Sequence, residues 1–483
     1  MSAPEPTAGH ADLCYLPACR QLELFRAKQV SPVEVLNAQI DRIERRGASI
    51  NAITYKHFEE ALASARQSEA RYMRGAPRPL EGVTIAVKDE FQKRGWIVTA
   101  GSRVHEGDFA KENDPVLAKL IDAGGILHIQ TTAPEYYLVA VTWSDLWGVT
   151  RNPWNLSCTP GGSSGGSAAA LAAGLTTLAT GSDMGGSIRI PCALTGLYGS
   201  KPAYGRIPSA DPSALVPHAT PGPLARELGD LLLLQNVMTG PAPACPAVLR
   251  PGIQLPDCYP ARRWRIALSM DQGWAAIDPE VRTNTLSAAK CLEASGARVQ
   301  EVELPLETTE VKLRETIEGA LFSTAFGADL LELEPHKDQL TSYGRRFVDL
   351  AKHMGPRQAK FAAEETLRLY AIIDSKIFER GFDAIITPTV ATTHVPATFD
   401  PTHDDLTIAD KRVDPYSGWF LTSLFSLLNW MPAISVPTGR AGNGVPTGMQ
   451  IVTRPYDDHT AAAIAWAYAH HAPKLSFPRA SLQ

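Results

Sequence analysis

The sequence predicts an α/β protein with a large mixed, mostly parallel central sheet that helices cover on both faces. The candidate strands are short, continuous apolar runs bounded by turn residues. Segments with helical periodicity lie between these runs along the chain. Strands that are apolar throughout, rather than at every second residue, are buried on both faces. The pattern therefore favours a sheet enclosed between two layers of helices.

Three helices have clear start signals, in which a capping residue is followed by proline at the first helical position. These signals are Ser31-Pro32, Asp114-Pro115 and Asp278-Pro279. Longer helical patterns cover about residues 310–333 and 357–380. The alanine-rich stretch 167–180 is predicted to be a buried helix, since it is apolar but too short to cross a membrane.

Several apolar runs are predicted to be strands because each is short and flanked by turn residues. They are Val83–Val87, Ile126–Ile129, Arg265–Leu268, Val299–Leu304, Ala384–Pro388, Ala433–Val436 and Gly448–Val452.

The chain is expected to form a single domain over residues 1–483. Its length of 483 residues would allow more domains, but no internal repeat divides it. Within the domain we expect an N-terminal helical region at about residues 1–75. A proline-rich surface connection is expected at about residues 239–262.

Composition excludes several classes of protein. With 44% hydrophobic and 20% charged residues and a net charge of −5, the chain has neither a disordered composition nor a basic stripe for nucleic acid. Its seven cysteines are scattered and lack zinc-site spacing. The sequence contains no run of about 20 apolar residues, so it predicts no membrane span. We expect a cytoplasmic monomer or homodimer without metal or cofactor, which acts on a small molecule.

The segment 159–191 carries the strongest chemical signal, because two loops rich in glycine and serine flank a small-residue helix. Backbone N–H groups in such a loop can converge on an oxyanion next to a nucleophilic hydroxyl. A flexible linker is disfavoured, since apolar residues interrupt the loops. Residues 161–165 also match the G-x-S-x-G elbow of Ser-His-Asp esterases, with Ser163 as nucleophile. That elbow requires a preceding strand, and a loop precedes this one.

Two stretches, GGSSGGSAA at 161–169 and GSDMGGSIRIP at 181–191, resemble the signature of the amidase signature hydrolases. The strand-like VTIAVKD at 83–89 and the PAISVP run at 432–437 are similar to further parts of that family. The resemblance extends over roughly residues 31–469. It implies the amidase signature fold and a hydrolase that cleaves amides through an acyl-enzyme.

The resemblance also implies a Ser-Ser-Lys catalytic triad. By position, Ser187 is the nucleophile, Ser163 is a bridging serine preceded by a cis peptide bond, and Lys88 is the base. The implied oxyanion hole consists of backbone N–H groups at Met184, Gly185, Gly186 and Ser187. The residues implied to support the site by hydrogen bonding are Ser164, Asp183 and Arg189.

Elementary chemistry is consistent with these roles. A serine hydroxyl needs a base to take its proton, and a lysine is a base only when burial depresses its pKa. Lys88 follows an apolar strand, which favours its burial, although a lone lysine is more often solvated. Of its two acidic neighbours, Asp89 is expected to support the strand end and Glu90 to lie at the surface.

The expected pocket is apolar and aromatic, because no arginine or lysine cluster accompanies the motifs. The candidate lining residues are Tyr136, Tyr137, Trp143, Trp419, Phe420 and Trp430. Neutral, hydrophobic or aromatic amides are the expected substrates, with small carbamates (urethanes) and esters as further classes. The segment 334–355 is expected to cap the channel. A glutamine-dependent amidotransferase of the A type is an alternative, but residues 216–222 lack the Ser-Leu-Asp-Gln stretch of those relatives.

Overall fold

The computed structural model describes residues 13–209, 215, 217–243 and 245–479. Residues 1–12, where the predicted N-terminal helical region begins, lie outside this part of the chain. Val216, the first residue of the segment 216–222 that lacks the amidotransferase stretch, also lies outside it.

The strands of the described part are numbered in chain order. They are β1 (Ile53–Lys56), β2 (Thr84–Lys88), β3 (Ile126–Thr131), β4 (Trp143–Ser144), β5 (Gly148–Val149), β6 (Leu178–Asp183), β7 (Tyr198–Lys201), β8 (Thr220–Ala225), β9 (Arg265–Leu268), β10 (Arg298–Glu301), β11 (Ala384–Pro388), β12 (Leu406–Ile408), β13 (Lys411–Val413), β14 (Ala433–Arg440) and β15 (Pro446–Thr453).

The α-helices of the described part are numbered in the same way. They are α1 (Ala18–Arg26), α2 (Pro32–Ile50), α3 (Phe58–Met73), α4 (Pro115–Asp122), α5 (Gly165–Ala172), α6 (Arg189–Thr195), α7 (Leu228–Met238), α8 (Pro279–Ala294), α9 (Glu310–Phe322), α10 (Ala325–Leu331), α11 (Ser342–Ala351), α12 (Pro356–Ile373), α13 (Ser423–Leu427) and α14 (Asp458–Ala469). Short helical turns cover 103–105, 135–137, 334–339 and 374–378.

A mixed 11-stranded sheet with flanking helices forms the centre of the molecule, as predicted. Its strand order is β1-β3-β2-β6-β8-β7-β14-β15-β11-β9-β10. Within this sheet, the parallel pairs are β3-β2, β2-β6, β11-β9 and β9-β10. The share of parallel pairs is smaller than in the mixed, mostly parallel sheet that the sequence predicted. The middle strands are antiparallel. Of these pairs, β14 and β15 are joined by the short turn 441–445, which can connect only antiparallel neighbours.

The three predicted helix starts are confirmed. Ser31 forms a capping box on α2, in which its Oγ accepts from the Glu34 backbone N–H at 3.1 Å and the Glu34 carboxylate accepts from the Ser31 N–H at 2.8 Å. Asp114 and Asp278 cap α4 and α8 through side-chain oxygens. The long pattern at 310–333 instead forms two helices, α9 and α10.

The prediction of one helix over residues 167–180 is wrong. Helix α5 ends at Ala172, Gly174 adopts a positive φ of 70°, and the chain then enters β6. Strand β8 was also missed, because Pro221 and Pro223 are rare inside a sheet. Both prolines lie opposite β6, whereas on the other side of the strand β7 pairs only with Leu224 and Ala225.

The sheet brings the predicted site residues to one edge. Strands β2 and β6 are parallel neighbours, and their last residues are Lys88 and Asp183. The carboxyl ends of parallel strands lie at the same edge, where open α/β sheets bind ligands. Among the described residues, every helix is too short or too polar to span a lipid bilayer.

Candidate active site

Lys88 is the centre of a small polar cluster at the end of β2. Its side chain has no solvent exposure. Its Nζ lies 2.9 Å from Ser163 Oγ, 2.8 Å from Ser182 Oγ and 2.9 Å from Glu90 Oε2. Burial lowers the pKa of Lys88 from its ordinary value, while the negative charges of Glu90 and Asp183 oppose this shift. The amine is therefore more easily deprotonated than that of a solvated lysine.

The two acidic residues after Lys88 have different positions. Asp89 supports the strand end as predicted, because its buried carboxylate accepts a hydrogen bond from the Thr99 backbone N–H at 2.9 Å. The expectation that Glu90 lies at the surface is wrong. Its side chain is only 26% exposed, contacts Lys88, and accepts a hydrogen bond from Ser182 Oγ at 2.6 Å. The turn that follows Lys88 returns Glu90 toward the lysine amine.

The two glycine–serine loops lie against each other. The Gly162–Ser163 peptide bond is cis, as the resemblance implied. Ser163 is fully buried, whereas Ser187 is partly exposed, and both line the same cavity. Ser164 joins the loops, since its N–H donates to the Ser187 carbonyl at 3.1 Å. The structure thus brings both predicted serines to one cavity, with Lys88 behind Ser163.

The loop implied to form the oxyanion hole has little space behind it. Met184 and Gly185 line the cavity, while Gly186 lies against α13 and adopts a φ of 128°. A Cβ on Gly186 would lie 2.1 Å from Thr422 Oγ1. The same Thr422 hydroxyl donates to the Gly185 carbonyl at 2.6 Å. Only glycine fits this backbone position.

Asp183 and Arg189 form a fully buried ion pair beneath that loop. Two guanidinium N–H groups of Arg189 donate to the Asp183 carboxylate at 2.8 and 2.9 Å. Burial by itself raises the pKa of Asp183, but the charge and hydrogen bonds of Arg189 outweigh burial and hold the pKa below its usual value. Arg189 also donates to Gln450 Oε1 and Ser426 Oγ, each at 2.7 Å. The pair therefore links the loop that carries Ser187 to α13 and β15.

A cavity of about 730 Å³ opens in front of the two serines. Much of its wall is apolar and comes from α9, α10 and α11, including Phe322, Phe326, Leu330 and Phe347. The sequence showed no signal for this wall, since these helices carry no motif. Because α11 contributes Phe347, the predicted capping segment does border the channel.

The charged lining of the cavity is mainly acidic. Its carboxylates are Glu90, Asp108, Asp183, Glu318, Asp329 and Glu332, against the cations Lys111 and Arg314. Arg314 is itself paired with Asp414 and lies 3.7 Å from Glu318.

Some of the predicted pocket residues line the cavity and others do not. Tyr136, Tyr137 and Phe420 line it, whereas Trp143 and Trp419 lie outside its wall. The Trp143 indole donates to the Phe399 carbonyl at 2.9 Å and packs edge-on against Tyr343. Trp419 is 1% exposed and belongs to the core, whereas its neighbour Phe420 lines the cavity. Trp430 is likewise outside the wall.

In the described part of the chain, no group of three or more histidine, cysteine or acidic side chains could hold a metal ion.

Comparison with known proteins gives concordant matches. The Amidase family model matches residues 34–461. The putative amidase AmiB2 of Mycobacterium tuberculosis is 32% identical over 96% of this chain and 99% of its own length. The A component of the glutamyl-tRNA(Gln) amidotransferase from Ralstonia pickettii is 31% identical over 92% of this chain and 95% of its own.

Two solved structures extend the comparison to the fold. A bacterial aryl acylamidase of the amidase signature family has a TM-score of 0.87 at 29% identity, over 95% of this chain and 96% of that chain. A 6-aminohexanoate cyclic dimer hydrolase has a TM-score of 0.80 at 27% identity, over 95% and 97%. The fold and these matches define an enzyme that acts on the carbon–nitrogen bonds of amides. The chain belongs to the amidase signature family.

Proposed function

We propose that this enzyme hydrolyses neutral, hydrophobic or aromatic amides through an acyl-enzyme on Ser187, with Ser163 and Lys88 as the proton relay. The observation that carries the proposal is the 2.9 Å contact between Lys88 Nζ and Ser163 Oγ, beside a cavity that Ser187 also lines. A buried, easily deprotonated amine in contact with a serine hydroxyl at a cavity is an arrangement that can activate a serine nucleophile.

The proposed reaction has two halves. In the first, Ser187 Oγ attacks the carbonyl carbon while its proton passes to Ser163 Oγ, whose own proton passes to the neutral Lys88 amine. The carbonyl oxygen gains negative charge, which the backbone N–H groups of residues 184–187 stabilise. As the C–N bond breaks, the proton returns through Ser163 to the leaving amine. In the second half, water adds to the acyl-enzyme along the same relay and releases the acid.

The cavity supports the proposed substrate class. Its aromatic and aliphatic wall favours apolar groups, which bind through buried area. Its excess of carboxylates opposes substrates that carry a carboxylate near the scissile bond. The similarity to an aryl acylamidase is consistent with aryl amides. Small carbamates (urethanes) and esters are a second class, because an oxyanion hole contacts only the carbonyl oxygen.

Two other functions give different expectations. A Ser-His-Asp esterase needs a histidine at the serine, whereas Ser163 Oγ contacts a lysine and the cavity histidine His105 pairs with Asp108 at 2.9 Å. The function of an A-type amidotransferase is the second candidate, because such proteins are among the relatives. It would show as hydrolysis of free glutamine in preference to a matched anilide, alkylamide and aryl carbamate.

The deciding experiment combines turnover of these substrates with labelling by a fluorophosphonate probe. We expect Ser187→Ala to abolish both labelling and turnover, and Ser163→Ala to lose about 10²–10⁴-fold in turnover as a proton relay does. Ser287→Ala, the same change at an exposed serine of α8, serves as the matched control and keeps both. Turnover near that of the wild type in Ser187→Ala would refute the proposal.

A further inference from the structure

The carboxylate of Glu90 is an unexpected member of the cluster around Lys88. It lies 2.9 Å from the lysine Nζ and accepts a hydrogen bond from Ser182 Oγ at 2.6 Å. Ser182 Oγ in turn lies 2.8 Å from the same Nζ. Lys88, Ser182 and Glu90 therefore contact one another in a three-membered ring, and Glu90 lies at the cavity wall.

The number of donors explains what this ring does. A neutral lysine amine has two N–H donors and one lone pair, whereas the ammonium has three donors. When Glu90 and Ser182 accept the two N–H bonds of the neutral amine, its lone pair is left to face Ser163 Oγ. When the amine takes a proton, the third donor finds Ser163 Oγ at the same 2.9 Å. Both protonation states are thus satisfied without movement.

The charge of Glu90 adds a second effect. Burial disfavours the ammonium form of Lys88, and a carboxylate in direct contact favours it. Two other titratable groups face Lys88 from neighbouring elements. Asp183 at the end of β6 is already paired with Arg189, and Tyr137 presents its ring face with the centroid 4.7 Å from Nζ. Glu90 is accordingly the carboxylate that contacts the amine directly.

We propose that Glu90 is a positioning residue that, together with Ser182, aims the lone pair of Lys88 at Ser163 and sets the pH at which this base becomes active. The inference rests on the proposed function, in which Lys88 is the general base. Glu90 acts through Lys88, and no bond of the substrate is made or broken at its carboxylate.

The test is the pH profile of Glu90→Gln, which keeps the shape and the acceptor oxygen but removes the charge. Without the negative charge the ammonium is less stable, so Lys88 loses its proton at lower pH. We expect the ascending limb of kcat/KM for a neutral nitroanilide to move to lower pH by about one to two units. The plateau should fall several-fold, because a less basic amine is a weaker general base. The rate of fluorophosphonate labelling should show the same shift.

Controls separate this inference from the function on which it rests. Glu106→Gln removes an exposed carboxylate next to the cavity residue His105 and should leave the limb in place. Glu90→Leu is a second neutral variant, to be used if Glu90→Gln folds poorly. It should shift the ascending limb of kcat/KM in the same direction. An unmoved limb in a folded neutral variant would overturn the role of Glu90. If Lys88→Ala instead kept wild-type turnover and pH profile, the failure would lie in the proposed function.

Discussion

At the scale of single residues, burial and charge compete at Lys88. A solvated lysine is protonated at neutral pH and cannot accept a proton from serine. Lys88 has no solvent exposure, and burial lowers its pKa despite the adjacent carboxylate of Glu90. In the proposed mechanism, the balance between these two effects determines the pH at which Lys88 becomes active as the base.

The first prediction at this scale concerns Lys88→Ala. In the proposed mechanism the neutral amine of Lys88 is the active form. Because burial lowers the pKa of this amine, wild-type kcat/KM should rise with pH and reach a plateau below the ordinary pKa of lysine. Lys88→Ala should lose about 10²–10⁴-fold in turnover, and its kcat/KM should no longer show the ascending limb. The variant should remain folded and unfold in a single thermal transition. Steady-state kinetics over a pH series, with circular dichroism, measures both. A variant with an unchanged pH profile would exclude Lys88 as the base.

The second residue-scale prediction compares two adjacent glycines. Gly186→Ala should reduce the free energy of unfolding by about 1–3 kcal/mol, because its φ of 128° and the 2.1 Å approach to Thr422 exclude a Cβ. Gly185→Ala is the matched control, since a Cβ there meets nothing within 4 Å. It should change stability by less than about 0.5 kcal/mol. Urea unfolding of both variants decides the matter, and equal losses would contradict the packing argument.

At the scale of elements, α11 is held to the cavity wall by polar contacts. Glu135, in the turn that carries Tyr136 and Tyr137, accepts hydrogen bonds from the Thr341 backbone N–H at 2.8 Å and Thr341 Oγ1 at 2.7 Å. The Tyr343 hydroxyl donates to the Trp143 carbonyl at 2.7 Å and accepts from the Glu135 N–H at 2.8 Å. These hydrogen bonds fix α11, which supplies Phe347 to the cavity, relative to the turn that carries Tyr136 and Tyr137.

We therefore predict that Tyr343→Phe loosens this wall. The change leaves the buried Glu135 N–H and the partly buried Trp143 carbonyl without their partner, which should lower the free energy of unfolding by about 1–3 kcal/mol. KM for a bulky anilide should rise more than kcat falls, because the proposed role of this wall is to hold the apolar part of the substrate and not to contact the reacting atoms. Tyr370→Phe on α12 is the control, as that hydroxyl makes no hydrogen bond within the described residues. Equal effects of the two variants would refute the anchoring role.

At the scale of the whole molecule, the Asp183–Arg189 pair joins distant parts of the chain. Arg189 contacts Asp183 at the end of β6, Ser426 on α13 and Gln450 on β15. A buried guanidinium is tolerated only because its charge is paired and its N–H groups have acceptors. The loop that carries Ser187 is consequently supported by the second half of the chain.

Removal of one partner from this pair should destabilise the whole protein. We predict that Arg189→Met lowers the free energy of unfolding by about 3–5 kcal/mol, because it leaves the Asp183 carboxylate buried and unpaired. Arg20→Met, which breaks a 2.8 Å pair with Glu23 on the surface, should lose less than about 1 kcal/mol. Equilibrium urea unfolding measures both, and a loss at Arg189 no larger than at Arg20 would contradict this account.

The sequence by itself determined those features that depend on local signals. The starts of α2, α4 and α8 follow from a capping residue and proline, whose effect requires no distant contact. Strands such as β9 and β11 were predicted with the observed bounds, since a short apolar run needs burial on both faces. The two glycine–serine loops were identified from their composition, whereas the lysine that ends β2 was singled out by the resemblance to the amidase signature family.

Tertiary structure decided which side chains meet. Glu90 looked like a surface residue until the turn after β2 placed it against Lys88 and Ser182. Trp419 and Phe420 are adjacent aromatic residues that the sequence does not distinguish. Only the packing around them places Trp419 in the core and Phe420 at the cavity. The apolar wall from α9 to α11 lies far from the motifs along the chain. Such contacts depend on long-range packing, which local periodicity and capping do not encode.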